Sequence, residues 1–248
     1  MIPIKVLALD IENTPPVVHA WGLFNQNIGV DMIIKPSRVF CFAASWESTK
    51  STVDFYSENE MTHKKMVKKA WDLLDEADVL TGYNSKHFDY RHLNREFDEA
   101  GLGPASPVLH IDLLTVARQN FLHISNKLKY ILDHLGMAGK EETGGIELWT
   151  RCMAGDQAAW SKMEIYNKRD VSAMWDLYQR WQPWVKNHPN RALVDGVVDG
   201  CTACGGTSLQ RRGFKYTGVS AYQRYRCNGC GAWLTDTKRI DGSTLKAA

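Results

Sequence analysis

The 248-residue sequence is 44% apolar and 23% charged, close to globular averages, which excludes disordered, collagen-like and fibrous proteins. No apolar run reaches the roughly 18–20 residues that span a bilayer, and Asp10 and Glu12 interrupt the first apolar stretch where a signal peptide needs continuity. Since the sequence shows neither a signal-peptide pattern nor a membrane-spanning run, we expect a cytoplasmic protein that has no membrane partner.

The predicted elements alternate between strands and helices over the first 182 residues. Strands are predicted at residues 4–11, 39–46, 52–56, 79–83 and 108–111. Helices are predicted at residues 61–76, 88–100, 127–135 and 146–181, the last with a break near Gly155. Asp112 and Ser125 are the predicted caps of the two helices that follow them, and residues 13–37 and 139–145 are predicted loops. This order predicts an α/β domain over residues 1–182, with a mixed sheet flanked by helices.

Acidic residues stand at the ends of two predicted elements. Asp10 and Glu12 lie two apart at the end of the first strand, and alternate residues of a strand face the same side, so both carboxylates point one way. The motif Asn84-x-x-x-Phe88-Asp89 follows the fourth strand and opens a helix. Asp89 is therefore expected at a strand end, close to a helix N-terminus.

A third motif, Tyr166-x-x-x-Asp170, lies in the last predicted helix, where the spacing stacks the phenol and the carboxylate on one face. Each motif is weak alone. Phe-Asp also occurs at residues 97–98, but only Phe88 has an asparagine four residues before it. The ordered set, each member on a fitting element, is much more specific.

Carboxylates that converge repel one another, and burial penalises their ionised forms. Divalent cations with a preference for oxygen, such as Mg²⁺ and Mn²⁺, remove this conflict. Two such ions about 4 Å apart support phosphodiester hydrolysis. Tyr166 has an ordinary pKa of about 10, so it is a poor general base near neutrality and suits the orientation of an attacking water.

These three motifs resemble those of the DEDD superfamily, the DnaQ-like 3′–5′ exonucleases with a ribonuclease H-like fold. The tyrosine makes the sequence similar to the DEDDy branch, which includes the proofreading domains of family-B DNA polymerases. The resemblance covers roughly residues 4–182. It implies two Mg²⁺ or Mn²⁺ ions held by Asp10, Glu12, Asp89 and Asp170, and removal of nucleotides from a 3′ end. It also suggests a substrate contact for Asn84 and Phe88, although Asn84 is the better candidate for stabilising its turn.

Other interpretations of the acids stay open at this point. Asp10 and Glu12 suit a solvated strand end, Asp89 suits a helix cap, and Asp170 suits an ion pair with Lys or Arg. An exoribonuclease, an endonuclease on the same fold, or a non-catalytic binding module are the alternative functions. The motifs do not separate DNA from RNA, because recognition of the 2′-hydroxyl depends on pocket contacts; we favour DNA.

The C-terminal segment differs in charge and cysteine content from the rest. Residues 1–200 hold 22 Lys/Arg and 26 Asp/Glu, whereas residues 201–248 hold 8 and 2. Two CxxC pairs lie in this basic segment, formed by Cys201 with Cys204 and by Cys227 with Cys230. Four thiolates at this spacing predict one structural Zn²⁺ in a zinc ribbon over residues 201–240, with a redox CxxC as the alternative. The remaining cysteines, Cys41 and Cys152, are predicted to be buried free thiols.

Basic and aromatic residues alternate between the two cysteine pairs. The candidate nucleic-acid contacts are Arg211, Arg212, Lys215, Tyr216, Arg224 and Arg226. Aromatic residues such as Phe214, Tyr222 and Trp233 could instead fill the small core of the ribbon. Residues 183–200, with two prolines, are a predicted linker. The expected partners are nucleic acid and a separate polymerase or replication protein, the latter docked by the ribbon, which would make the protein nucleoid- or replication-associated.

Overall fold

The computed structural model describes residues 4–137, 144–194, 196–197 and 199–243. The chain divides into two compact units, a large unit of residues Lys5–Leu177 and a small unit of Met1–Ile4 with Tyr178–Ala248. The strands are β1 Val6–Asn13, β2 Val17–Val18, β3 Ile33–Lys35, β4 Val39–Trp46, β5 Asp54–Ser57, β6 Val79–Gly82, β7 Leu109–Asp112, β8 Leu209–Tyr216, β9 Ser220–Cys227 and β10 Trp233–Gly242. The helices are α1 His63–Glu76, α2 Asp89–Glu99, α3 Leu113–Asn120, α4 Leu128–His134, α5 Ile146–Met153, α6 Gln157–Trp181 and α7 Arg191–Val194. Within the described ranges, none of these helices combines the length and apolarity that a bilayer crossing requires.

The large unit is built on a five-stranded mixed sheet in the order β5-β4-β1-β6-β7. β1 is antiparallel to β4 and parallel to β6, and β6 is parallel to β7. β1 is therefore a central strand, and its first four residues are buried. This confirms the predicted mixed sheet flanked by helices, which has the ribonuclease H-like arrangement.

The alternation of side chains along β1 separates two layers of packing. Leu7, Leu9 and Ile11 face a core that also contains the buried residues of α1 and α2. Asp10 and Glu12, at the alternate positions of the strand, lie opposite Ala43 and Cys41 of β4 in the register. Cys41 belongs to a second core that includes buried residues of α5 and α6. The two acids of β1 therefore face the layer that holds α6.

A partly buried charge network connects the end of β5 with α1 and α2. His63 at the start of α1 contacts Glu58 Oε1 through Nδ1 at 2.7 Å and Glu96 Oε2 through Nε2 at 3.0 Å. These contacts raise the pKa of His63 to about 9. Glu96 also accepts a hydrogen bond from the backbone N–H of Val39 at 2.9 Å, which fixes the start of β4.

The small unit contains a three-stranded antiparallel sheet in the order β10-β9-β8. Residues 183–200, predicted as a linker, include α7 and lie in the same unit as the sheet. The backbone N–H of Arg191 donates to the carbonyl of Thr202 at 3.0 Å. Gln182 Nε2 donates to the carbonyl of Ala203 at 2.8 Å. These contacts give the segment an ordered path that two prolines and a weak apolar pattern did not predict.

Local boundaries differ from the predictions in several places. β1 begins two residues later than predicted and extends to Asn13, and the predicted loop 13–37 contains the two-stranded ribbon β2–β3. Ser125 is not an N-cap: its Oγ accepts from the N–H of Lys127 at 3.3 Å, and Lys127 precedes the helix. The break near Gly155 is confirmed, with φ +82° at that glycine. Of the predicted loop 139–145, residues 139–143 lie outside the described residues.

Candidate active site

Three carboxylates meet at the carboxyl-terminal half of β1. Asp10, Glu12 and Asp170 each offer one oxygen, and these oxygens all lie within 4.8 Å of one another. Asp170 is almost fully buried on α6, while the two acids of β1 are half-buried. Such a group is electrostatically unfavourable when fully ionised. An all-oxygen, anionic donor set of this kind fits a hard divalent cation such as Mg²⁺ or Mn²⁺.

Asp89 reaches the same strand end from α2. It is the first residue of the helix, is only 3% exposed, and its Oδ1 accepts a hydrogen bond from the N–H of Ile11 at 3.0 Å. Ile11 is the residue between Asp10 and Glu12. The structure thus brings the second acidic motif against the backbone of the first, although Asp89 lies outside the three-oxygen cluster.

The turn that delivers Asp89 is held by Asp112. Asn84 adopts a left-handed conformation with φ +63°, and its N–H donates to Asp112 Oδ1 at 3.0 Å. Asp112 Oδ2 accepts from the N–H of Lys86 at 3.2 Å. Oδ1 also caps α3 by accepting from the N–H of Leu114 at 2.9 Å. The predicted cap is confirmed, and Asp112 additionally fixes the turn before Asp89; the geometry of Asn84 fits its turn-stabilising role.

The phenol of Tyr166 is nearly buried beside the carboxylates. Burial raises its pKa, and the charges of Asp170, Glu12 and Asp10 raise it further. The phenol is also hydrogen-bonded to the Asp170 carboxylate. Tyr166 therefore stays protonated across the physiological pH range and can donate a hydrogen bond, but it cannot accept a proton from water.

Asn167 is a site residue that the sequence analysis missed. Its side chain is fully buried, and Nδ2 donates to Asp10 Oδ2 at 2.7 Å and to the Asp10 carbonyl at 3.2 Å. One amide therefore fixes both the backbone and the carboxylate orientation of Asp10. The available signal was its position three residues before Asp170, which places both side chains on one helix face.

A cleft of about 510 Å³ opens beside the acids. Its lining includes Asn13, Pro15, Phe88, His92 and Trp149. Phe88 is 42% exposed, and its ring packs edge-on against His92 with centroids 4.6 Å apart. The cleft thus presents an accessible aromatic surface immediately before Asp89, which suits stacking on a base.

The four cysteines of the small unit form a second group that could hold a metal ion. Their sulfurs all lie within 4.8 Å of one another, with Cys201 to Cys230 at 3.6 Å and Cys204 to Cys227 at 3.7 Å. A tetrahedron with Zn–S bonds of about 2.3 Å has edges of about 3.8 Å. The donor set and its spacing therefore fit a structural Zn²⁺.

Each cysteine pair has the turn of a zinc knuckle. Gly205 and Gly231 have φ +76° and +83°, a conformation that glycine adopts without steric cost. Burial raises the pKa of Cys227, but the N–H groups of Cys230 and Gly229, together with the thiols of Cys204 and Cys201, lower the pKa overall to about 7. These donors favour the thiolate form that a zinc ligand requires.

The six predicted nucleic-acid contacts of the ribbon lie on β8 and β9. All are exposed: Arg211, Arg212, Lys215, Tyr216, Arg224 and Arg226. Phe214 and Trp233 are 43% and 56% exposed, so neither fills a ribbon core, while Tyr222 is partly buried. Cys41 and Cys152, as predicted, are buried free thiols of the large unit.

Comparisons with known proteins agree with this architecture. A family model of the RNase H superfamily, RNase_H_2, matches residues 34–182, a range that contains Asp89, Tyr166 and Asp170. No curated protein matches this chain. The family B DNA polymerase from the hyperthermophilic archaeon Pyrobaculum calidifontis has a similar structure, with 16% identity and a TM-score of 0.53. The match covers 88% of this chain but only 32% of the polymerase, and at this identity it shows a shared fold alone.

Proposed function

Because this chain belongs to the RNase H superfamily, we propose that it is a metal-dependent 3′–5′ exonuclease of the DnaQ-like, DEDDy type. Its reaction is the hydrolysis of phosphodiester bonds at single-stranded or frayed 3′ ends. The observation that carries the proposal is the meeting of Asp10, Glu12 and Asp170 within 4.8 Å, with Tyr166 beside them.

Each residue has a role that its environment supports. Asp10, Glu12, Asp89 and Asp170 would hold two Mg²⁺ or Mn²⁺ ions. When bound, such ions supply an activated water and offset the charge that develops on the phosphate. Tyr166, kept neutral by its surroundings, orients the attacking water through a hydrogen bond to its phenol oxygen. Phe88, at the neighbouring cleft, stacks on the terminal base.

We propose DNA as the substrate, since the polymerase with the similar fold is a DNA polymerase. The proposed organisation is an exonuclease domain at residues 1–182 and a zinc ribbon at residues 201–240, joined by residues 183–200. One Zn²⁺ stabilises the ribbon, which adds affinity for nucleic acid. A separate polymerase or replication protein is the proposed protein partner.

The two Phe-Asp pairs of α2 supply a matched test. Asp89→Ala removes a proposed ligand, whereas Asp98→Ala removes an exposed acid from the same helix. Digestion of 5′-labelled single- and double-stranded DNA and RNA with Mg²⁺ is followed on gels. We expect one-nucleotide ladders with the wild type and with Asp98→Ala, and no cleavage with Asp89→Ala or Asp10→Ala. Cleavage by Asp10→Ala at the wild-type rate in metal-purified buffer contradicts the proposal.

Tyr166→Phe tests the role of the phenol separately. We expect slower turnover and a nearly unchanged Mg²⁺ requirement, because the four carboxylates remain. An unchanged rate removes Tyr166 from the mechanism. Internal cuts in place of a ladder would indicate an endonuclease, and a preference for RNA would indicate an exoribonuclease.

A further inference from the structure

The strand register divides the ribbon sheet into two chemically different faces. Cross-strand partners share a face, and residues two apart on a strand share it as well. One face, called here the Trp233 face, carries Lys215, Tyr222, Arg224, Arg226, Trp233 and Arg239. The opposite face, called here the Leu209 face, carries Leu209, Arg211, Phe214, Tyr216, Tyr225 and Leu234.

The Leu209 face is used in part for the ribbon's own folding. Leu209 and Leu234 pack against the small core that contains Cys201 and Cys227. The Trp233 face contributes no residue to that core; it carries four cations, and Trp233 is 56% exposed. Within the described residues of the small unit, no salt bridge engages Lys215, Arg224, Arg226 or Arg239.

Two contacts hold an arginine and an indole together at the centre of the Trp233 face. The Arg224 guanidinium lies 4.9 Å from the centroid of the Trp233 ring. Its Nε donates to the carbonyl of Arg212 at 3.2 Å, which fixes the guanidinium against the sheet. A cation and an aromatic surface are thus presented side by side before any ligand arrives, which reduces the ordering cost of binding.

We propose that the Trp233 face binds a single strand of nucleic acid without regard to its sequence. The inference rests on the proposed nuclease function and names the form of nucleic acid that the ribbon holds. Each nucleotide supplies an aromatic ring and an anion in one repeating unit, which this face matches with Trp233 and its four cations. An acidic protein segment does not repeat a ring and an anion in every unit. In a duplex the base faces are covered by stacking and cannot reach the indole.

The nucleic-acid contacts on the Trp233 face differ from those that the sequence predicts. Trp233 and Arg239 join it, whereas Arg211 and Tyr216 lie on the opposite face. For a single strand, each phosphate contact contributes about −0.7 to the slope of log K against log salt concentration. Four cations predict a contribution of roughly −3, and removal of one cation predicts a change of about 0.7.

Matched variants on the two faces test the proposal. The full-length protein carries Asp10→Asn to prevent digestion, and fluorescence anisotropy measures binding of a labelled 20-mer of thymidine at several salt concentrations. Arg226→Gln and Arg211→Gln remove the same charge from opposite faces, and Trp233→Ala and Phe214→Ala remove an exposed aromatic ring from each. Zinc content, measured with a chromogenic chelator, shows whether each variant retains a folded ribbon.

We expect Trp233→Ala to weaken binding roughly tenfold or more, and Arg226→Gln to reduce the salt slope. The variants of the Leu209 face, Phe214→Ala and Arg211→Gln, should have little effect. Equal losses on both faces, no loss on either, or tighter binding of a blunt duplex than of the single strand overturn the proposal. The proposal is also overturned if the variants of the Trp233 face lose binding of a replication protein but keep their affinity for the single strand. The same ribbon variants are also made with Asp10 intact, and their cleavage of a nitrophenyl ester of thymidine monophosphate separates the two proposals, because this small substrate reports the acidic site without the ribbon.

Discussion

Replacement of Asn167 by alanine should weaken metal-dependent activity without removing any carboxylate. The buried amide makes two hydrogen bonds to Asp10, one to the carboxylate at 2.7 Å and one to the carbonyl at 3.2 Å. A hydrogen bond to a charged group contributes about 1.5–3 kcal/mol. Loss of a partner that orients a metal ligand lowers metal affinity or activity by about 10–100-fold. We expect a loss in this range for Asn167→Ala.

The assay is a Mg²⁺ titration of exonuclease activity on 5′-labelled single-stranded DNA, with Mn²⁺ as a second series. The half-saturating Mg²⁺ concentration should rise, and high Mg²⁺ should restore part of the rate. Asn167→Asp keeps the size of the side chain but replaces the donor with a charge beside Asp10, so we expect a larger loss. Ser172→Ala, at an exposed position of α6, is the control.

Two results would refute this reasoning. The first is wild-type activity and an unchanged Mg²⁺ dependence in folded Asn167→Ala. The second is a lower rate that no Mg²⁺ concentration alters, together with a lower melting temperature, because that pattern assigns Asn167 to packing alone.

The remaining predictions concern stability and the zinc ligands. Since the pKa of His63 is raised from 6.5 to about 9, the contribution of this residue to the free energy of unfolding is complete below pH 6.5 and is lost as the pH rises through 9. This contribution is about 2 kcal/mol after a discount for the exposed third of the ring. The free energies of unfolding of His63→Ala and wild type in urea should therefore differ at pH 6 and converge by pH 10. An equal difference at both pH values contradicts this prediction. Asp112→Ala removes four backbone hydrogen bonds and should cost about 2–4 kcal/mol and much of the activity, as measured by calorimetry and digestion. Cys204→Ser should lower zinc content and unfold the ribbon while cleavage of short substrates continues, and unchanged zinc content would exclude Cys204 as a ligand.

The fold and the approach of the acidic motifs were predictable because they depend on strong local patterns. Alternation in β1 placed Asp10 and Glu12 on one face, and the spacing from Tyr166 to Asp170 placed both on one face of α6. The ligand assignments themselves stay predictions. The spacing of Asn167 from Asp170 indicates only a shared helix face, and the role of Asn167 depends on its hydrogen bond to Asp10, which is 157 residues away in the sequence.

Other features depended on tertiary contacts that sequence periodicity does not record. The two-stranded β2–β3 sheet consists of strands of two and three residues, which are too short for an alternation pattern. Gln182 and Arg191, just before and within the predicted linker, are hydrogen-bonded to residues between Cys201 and Cys204. The division of the ribbon sheet into two faces required the register, since a bulge between Arg211 and Phe214 shifts the alternation along β8.

The central position of β1 has a consequence for how the protein inactivates. Two of the proposed ligands lie on a strand that pairs with β4 over most of its length and with β6 at Val6, Leu7 and Ala8. Strands of this kind exchange their amide hydrogens only when the whole domain opens, so catalysis and the large unit should be lost at one temperature. The proposed Zn²⁺ would maintain the ribbon instead, so we expect a chelator to unfold the ribbon before the large unit. Heating and removal of metal would therefore inactivate different parts of this protein first.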